Sequence, residues 1–272
     1  MDKKKLLEKF PVLRKIRTKQ IKFVFYAKMY LDKNKYCKEI IKEKLPYQLP
    51  KFKDRMVNTK TGYPIEYQYN KVFNLKLASK KINKILIKPN ETFSFYMSVK
   101  GADKKEKYKK GLTLVNGKIE FVEGGGMCQI SNLLFQVFLN SPLTIVERHT
   151  HKIKDFPDPM EDALKGIDAT LAEGFLDLKV RNDTQNTFQI IIEFDDEFIY
   201  GYLCSKEEIK EQYKIINKDL RYIKEKDKIY EKVDIYRQTI QNEQVINEQK
   251  LYTNKTQIGY ELPKDVEIKE EE

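Results

Sequence analysis

Three consecutive glycines, Gly124, Gly125 and Gly126, run straight into the most regular apolar repeat of the chain. Ile130, Leu133, Leu134, Val137 and Phe138 stand at i, i+3, i+4, i+7 and i+8, the spacing of one buried helix face. Asn140-Ser141-Pro142 ends the run, because a proline drives the residue before it out of helical geometry. A helix over about 127–139 with so complete an apolar face has to be covered by other layers. It therefore sits at the centre of whatever the chain folds into. The glycines ahead of it let the backbone turn tightly and let another group come close.

The pattern around this helix predicts mostly strands. Residues 144–146, 169–171, 175–180, 188–194 and 199–204 read as strands, and 91–95 as extended chain. Residues 111–122 read as a hairpin closed by Asn116-Gly117, a strong short-range turn signal. A second amphipathic helix is expected over 72–87, stopped by Lys88-Pro89-Asn90. Residues 206–213 are charged and helical in pattern, and 229–240 and 245–253 pair as a hairpin. The expected fold class is α+β: an antiparallel sheet wrapped around the 127–139 helix, with a helical N-terminal extension and a C-terminal β-hairpin. The expected boundaries are a basic helical extension over 1–60, a core over 61–205 and a β-rich extension over 206–272.

Charge limits the partners. The net charge is +11, but residues 1–60 carry 19 Lys+Arg against 6 Asp+Glu, and the rest of the chain is nearly neutral. A nucleic-acid ligand would need a basic face on the main body, so none is expected. Met1 to Lys5 has the charge of a signal-peptide start, but no apolar run of the required length follows. No stretch approaches the roughly 20 apolar residues of a spanning helix. The expectation is a cytoplasmic protein. Ile16, Gln20, Phe23, Val24, Ala27, Tyr30 and Leu31 fall at helical spacing among Lys15, Arg17, Lys19, Lys22 and Lys28. Such a helix either packs its stripe on the core or lies on an anionic membrane surface, here through residues 14–31, on the inner face.

The glycine-rich entry also carries chemistry. Cys128 falls in the first turn of the helix, where free N–H groups and the helix dipole favour an anion. A thiol there is more acidic and more nucleophilic. Helical geometry places it with Ser131, Asn132 and Phe135, away from the apolar stripe. His149 and His151 are the only histidines and follow within 23 positions. Read as a strand, the segment points both rings to one side, so either can serve as base. Asp168 and Asp155 are candidates to orient it. The amides of Gly125 and Gly126 could form an oxyanion site. Gly124, Gly125, Gly126, Gln129, Ser131, Asn132 and Arg148 are candidate ligand contacts, with Arg148 as a carboxylate clamp.

A zinc site of Cys128, His149 and His151 matches no standard spacing and lacks a fourth ligand. No metal and no cofactor is expected. Cys37 and Cys204 read as structural, and an odd count of 3 Cys excludes a disulfide framework. Phosphate loops, GxGxxG, GxSxG and HExxH are absent from the sequence.

Several separate motifs occur in order: Glu91-Thr92-Phe93-Ser94-Phe95, Gly124-Gly125-Gly126-Met127-Cys128-Gln129-Ile130-Ser131, Ile145-Val146-Glu147-Arg148-His149, Gly166-Ile167-Asp168-Ala169-Thr170 and Leu176-Asp177-Leu178-Lys179-Val180-Arg181-Asn182. Together they resemble the VanW family across roughly residues 85–205. Arg14 to Tyr30, Asn70 to Ala78 and Leu251 to Asn254 extend the similarity towards both ends. The chain departs from the family pattern at Asn132, where a small hydroxyl residue is usual. Phe156-Pro157-Asp158-Pro159 only partly matches the Pro-rich stretch that often follows the histidines.

The resemblance implies a setting rather than a reaction. That setting is resistance to glycopeptide antibiotics such as vancomycin, in which D-alanyl-D-lactate replaces the D-alanyl-D-alanine end of peptidoglycan precursors. Two expectations follow. One is an accessory module that binds a carboxylate or phosphate of a peptidoglycan precursor or fragment at the glycine-rich turn, held at the membrane by its basic helix. The other is a thiol enzyme, amidase-like or transpeptidase-like, with Cys128 as nucleophile, His149 or His151 as base and Asp168 behind it.

Overall fold

The computed structural model describes residues 11–115 and 118–270. The elements follow in the order α1 (Pro11–Leu31), β1 (Lys35–Tyr36), β2 (Tyr47–Gln48), β3 (Phe52–Arg55), α2 (Glu66–Ile82), β4 (Leu86–Ile87), β5 (Glu91–Ser94), α3 (Phe95–Val99), β6 (Lys110–Val115), β7 (Lys118–Glu123) and α4 (Cys128–Leu139). Then come β8 (Thr144–Glu147), β9 (Ile153–Lys154), β10 (Lys179–Arg181), β11 (Phe188–Phe194), β12 (Phe198–Ser205), β13 (Gln212–Glu225), β14 (Lys228–Gln241), β15 (Gln244–Ile258) and β16 (Ile268–Glu270). The class is α+β.

Helix α4 is the hub. Ile130, Leu133, Leu134, Val137 and Phe138 are all buried in the main core, each contributing roughly 1.5–3 kcal/mol of apolar burial. Phe138 meets Phe93 of β5 with ring centroids 5.4 Å apart. Three sheets surround the helix. The first runs β1-β5-β10-β8. The second runs β2-β12-β11-β4, with β3 also paired to β12. The third runs β16-β13-β14-β15-β9, and a β6-β7 hairpin stands apart. The turn expected at Asn116-Gly117 lies outside the described residues.

Several local expectations are corrected. The basic N-terminal segment is helical only to Leu31; beyond it β1, β2 and β3 pair with β5 and β12 of the core. Helix α2 stops at Ile82 and not at 87. Lys84 takes a left-handed φ of 69°, and the apolar pair Leu86-Ile87 leaves to join β11. Residues 169–171 and 175–178 are irregular; only Lys179–Arg181 forms the strand. Residues 206–211 are not helical, and the C-terminal unit is not a simple hairpin. It is a β13-β14-β15 antiparallel meander with β16 and β9 added in parallel at its edges. β13 is hard to read because only Ile215 and Ile223 of its 14 residues are buried, so its alternation is diluted by charge.

Candidate functional site

The glycine turn that introduces α4 is packed backbone against backbone. A Cβ on Gly125 would lie 2.2 Å from the Gly111 carbonyl oxygen, and one on Gly111 2.5 Å from the Gly125 oxygen. Only glycine allows β6 and the turn to approach so closely. Gly124 and Gly126 hold positive φ of 77° and 89°. Asn74 of α2 locks the turn from outside. Its Nδ2 donates to the carbonyls of Lys109 (2.9 Å) and Gly125 (3.1 Å), and its Oδ1 accepts from the Lys109 amide (2.8 Å). The Gly124 and Gly125 amides donate to Lys109 O and Val122 O. Gly125 therefore has no free donor for an oxyanion. Among the described residues, no acceptor meets the amides of Gly126, Met127 or Cys128.

The Cys128 thiol, half-buried at the start of α4, faces the segments 148–151 and 168–171. These segments are stitched together: the Thr170 amide donates to His149 O at 2.8 Å, and the His151 amide donates to Asp168 Oδ2 at 2.5 Å. Asp168 Oδ1 lies 2.7 Å from His151 Nδ1. The charges of the ring and of Cys128 act on one another. The Thr170 hydroxyl lies 3.6 Å from Sγ. Burial alone would raise the thiol, but His151, the Leu171 amide and Thr170 bring it below its ordinary value. Burial alone would lower His151, but its bond to Asp168 and the charges of Asp168 and Cys128 push it up to about 11. Burial opposes ionisation of Asp168 too, yet His151 and the charge of Arg148 hold its carboxyl low. The arrangement sets a thiol of lowered pKa near an imidazole that is backed by a carboxylate, the layout used to activate a nucleophile.

The other candidates sit differently. His149 turns its Nε2 to Glu147 Oε1, 3.1 Å away, so the two rings diverge instead of sharing a side. The backbone is no longer a strand after Glu147. The Cys-His-His zinc set is accordingly not assembled. Asp155 is raised by burial and feels the His151 charge, but Asp168 makes the hydrogen bonds to that residue.

Arg148 is not an open clamp. Its Nε donates to Asp168 O at 2.7 Å, and one terminal nitrogen reaches Gly166 O and Asn254 Oδ1 at 3.3 Å each. Its plane lies over Phe135 (5.1 Å) and Tyr252 (4.5 Å). Asn132 accepts the Ala169 amide at 2.7 Å, and the Ser131 hydroxyl donates to Ala169 O. Gln129 donates through Nε2 to Asp54 Oδ2 (2.8 Å) and Arg55 O (2.7 Å). These side chains hold the loop that carries Asp168, or the β3 edge. Phe135, expected on a mixed face, is buried.

Three contributors escaped the sequence reading. Thr170 touches the thiol. Tyr96, in the first turn of α3, is raised by burial and by the nearby Cys128 charge. Lys71 of α2 runs along bare Gly126, where a Cβ would lie 2.3 Å from Lys71 Cγ. Burial pushes its ammonium down to about 8 despite nearby Asp54. Thr170 and Lys71 stand inside motifs quoted above and Tyr96 directly follows one, but no local pattern ties them to a cysteine dozens of residues away. Cys37 and Cys204 are buried, and burial raises both thiols.

Fold and site thus define an α+β protein with a cysteine–imidazole–carboxylate cluster at the start of its central helix. The family model described as VanW like protein matches residues 70–204. The whole chain is 47% identical, over 272 residues and 99% of both chains, to the Vancomycin B-type resistance protein VanW of Enterococcus faecalis (strain ATCC 700802 / V583). It is also 34% identical over 110 residues to the uncharacterized protein YoaR of Bacillus subtilis (strain 168), covering 40% of this chain and 34% of that one. The chain belongs to the VanW family. No solved structure matches it.

Proposed function

We propose that this chain serves glycopeptide resistance as a cysteine-nucleophile enzyme acting on an amide or ester carbonyl of a peptidoglycan precursor or fragment. The resistance setting is supported by the name of its full-length relative. The chemistry is supported by one observation above all: His151 stands between Cys128 and Asp168, with the thiol lowered and the imidazole raised. In the reaction the thiolate attacks the carbonyl carbon, and the developing oxyanion is met by the unpartnered amides at the start of α4. His151 gives its proton to the departing amine or alcohol as the carbonyl–heteroatom bond breaks, leaving a thioester on Cys128. Water or an amine then attacks that thioester, losing its proton to His151, and the thiolate is restored.

The binding-module alternative would draw on polar side chains around the turn as well as on its free amides. Gln129, Ser131 and Arg148 donate to the protein itself, and Asn132 Oδ1 is taken by the Ala169 amide, which favours the enzyme. The test is incubation of the purified protein with stem peptides ending in D-alanyl-D-alanine or D-alanyl-D-lactate, read by mass spectrometry. We expect turnover or a mass adduct on Cys128, lost in Cys128→Ala and His151→Ala. No turnover by the wild type, with binding undiminished in Cys128→Ser, would replace the enzyme with the binding module; undiminished turnover in Cys128→Ser would remove Cys128 as the nucleophile.

A further inference from the structure

Helix α1 shows two apolar faces, and the core uses only one. Ile21, Phe25 and Met29 point inward. Met29 is buried, and Phe25 meets Tyr96 edge-on with centroids 6.0 Å apart. Tyr26 Oη donates to Glu173 Oε1 at 2.8 Å, and Lys22 pairs with the same carboxylate. The helix is thus fixed along one side. On the other side Val12, Ile16, Phe23 and Tyr30 fall within roughly 60° of one another, and Leu13, Val24 and Leu31 continue the sector. Phe23 is 73% exposed, Tyr30 65% and Leu31 85%. This is the stripe noted in the sequence, and it faces solvent instead of the core. Phe175, 64% exposed, adds a further large apolar side chain from another segment. It shares with Arg17, Val24, Lys28 and Lys179 the lining of a cavity of about 460 Å³ beneath α1.

Charge says what covers the stripe. Residues 11–31 contain six Lys or Arg and no Asp or Glu. Lys15, Arg17, Lys19 and Lys28 flank the apolar sector, and among the described residues no carboxylate pairs with Lys15, Lys19 or Lys28. A second copy docked through this face would bring two such helices together and repel. No helix of the described residues is long and apolar enough to cross a membrane. An apolar stripe between basic margins fits the boundary of an anionic bilayer, with rings among the acyl chains and ammonium groups among the headgroups. We infer that the outer face of α1, together with Phe175, docks the protein on an anionic lipid surface. The inference is independent of the cysteine chemistry.

The experiment is co-sedimentation of the full chain with vesicles of phosphatidylglycerol and phosphatidylcholine against phosphatidylcholine alone, at low and high salt. Binding should require the anionic lipid and weaken with salt. Phe23→Ser with Leu31→Ser, and separately Lys15→Glu with Lys19→Glu, should each reduce partitioning about tenfold or more. Circular dichroism should not change, since these side chains lie outside the core. Failure of the wild type to pellet with anionic vesicles overturns the inference. So does pelleting untouched by the Phe23/Leu31 change, or a concentration-dependent dimer abolished by that change.

Discussion

His151 presents its Nδ1 to Asp168 Oδ1 at 2.7 Å while its backbone amide bonds to the other oxygen of the same carboxylate. Both contacts hold the ring in one orientation and favour its protonated form. Their consequence should appear at Cys128. With the imidazolium in place the thiol ionises below its ordinary value, so iodoacetamide labelling of Cys128 should persist on the acid side of the usual thiol midpoint near about 8.5. In His151→Ala burial acts with less opposition and the midpoint should move up. The rate at about pH 7 should then fall roughly tenfold or more, because only a few per cent of an ordinary thiol is ionised there. A profile unchanged by the substitution would show that the ring does not activate the sulfur.

The three cysteines should separate cleanly. Burial raises Cys37 and Cys204 and shields them, whereas Cys128 is half-buried and lowered. Peptide mapping after brief alkylation of the folded protein should find label on Cys128 alone. In denaturant all three should react. Comparable labelling of Cys204 under native conditions would contradict the burial described.

The contact between Gly111 and Gly125 leaves no room for a methyl group. Gly111→Ala or Gly125→Ala must push β6 away from the turn that introduces α4, since the obstructing atoms are backbone. The expected loss is about 1–3 kcal/mol or more. It should show as a lower denaturation midpoint, together with slower Cys128 labelling. An alanine at either position with wild-type stability would mean that the two segments are not in contact.

Arg148 links the site to the C-terminal meander through Asn254 and Tyr252. Asn254 is itself buried and donates to Thr256 Oγ1 at 2.9 Å. Asn254→Ala should therefore cost about 1–3 kcal/mol. It should also perturb Cys128 labelling, although residue 254 lies far outside the segment matched by the family model. Denaturant titration and labelling rate, read together, test the link. Lost stability with an unaltered rate would confine Arg148 to a packing role.

Asn132 follows Ser131 on α4, and its Oδ1 holds the Ala169 amide at 2.7 Å. Asn132→Ala should free the 168–171 segment, at about 0.5–1.5 kcal/mol. Asn132→Thr should restore part of the loss if its hydroxyl reaches the same amide. Equal stability of all three proteins would remove this role.

The sequence alone was enough to locate the central helix, its glycine entry and the class of fold, because these rest on local rules. A 3.6-residue repeat marks a buried helix wherever it is placed, and a tight turn at positive φ favours glycine. It also brought the search for a base down to two imidazoles. It misjudged elements whose state is set by partners distant in the chain. Leu86-Ile87 continues a helical pattern yet pairs with β11, and charged β13 becomes a strand beside β14.

Only the tertiary structure set His151, and not His149, against Asp168, and it engaged Arg148, Asn132 and Ser131 in holding the Asp168 loop. It also turned the stripe of α1 outward. The physical reason is the same each time. A side chain's direction depends on which hydrogen bonds and rings meet it, and here those partners lie 13 to 106 residues away, Glu147 beside His149 excepted. Periodicity records which face of an element is apolar. It does not record what, if anything, will cover that face.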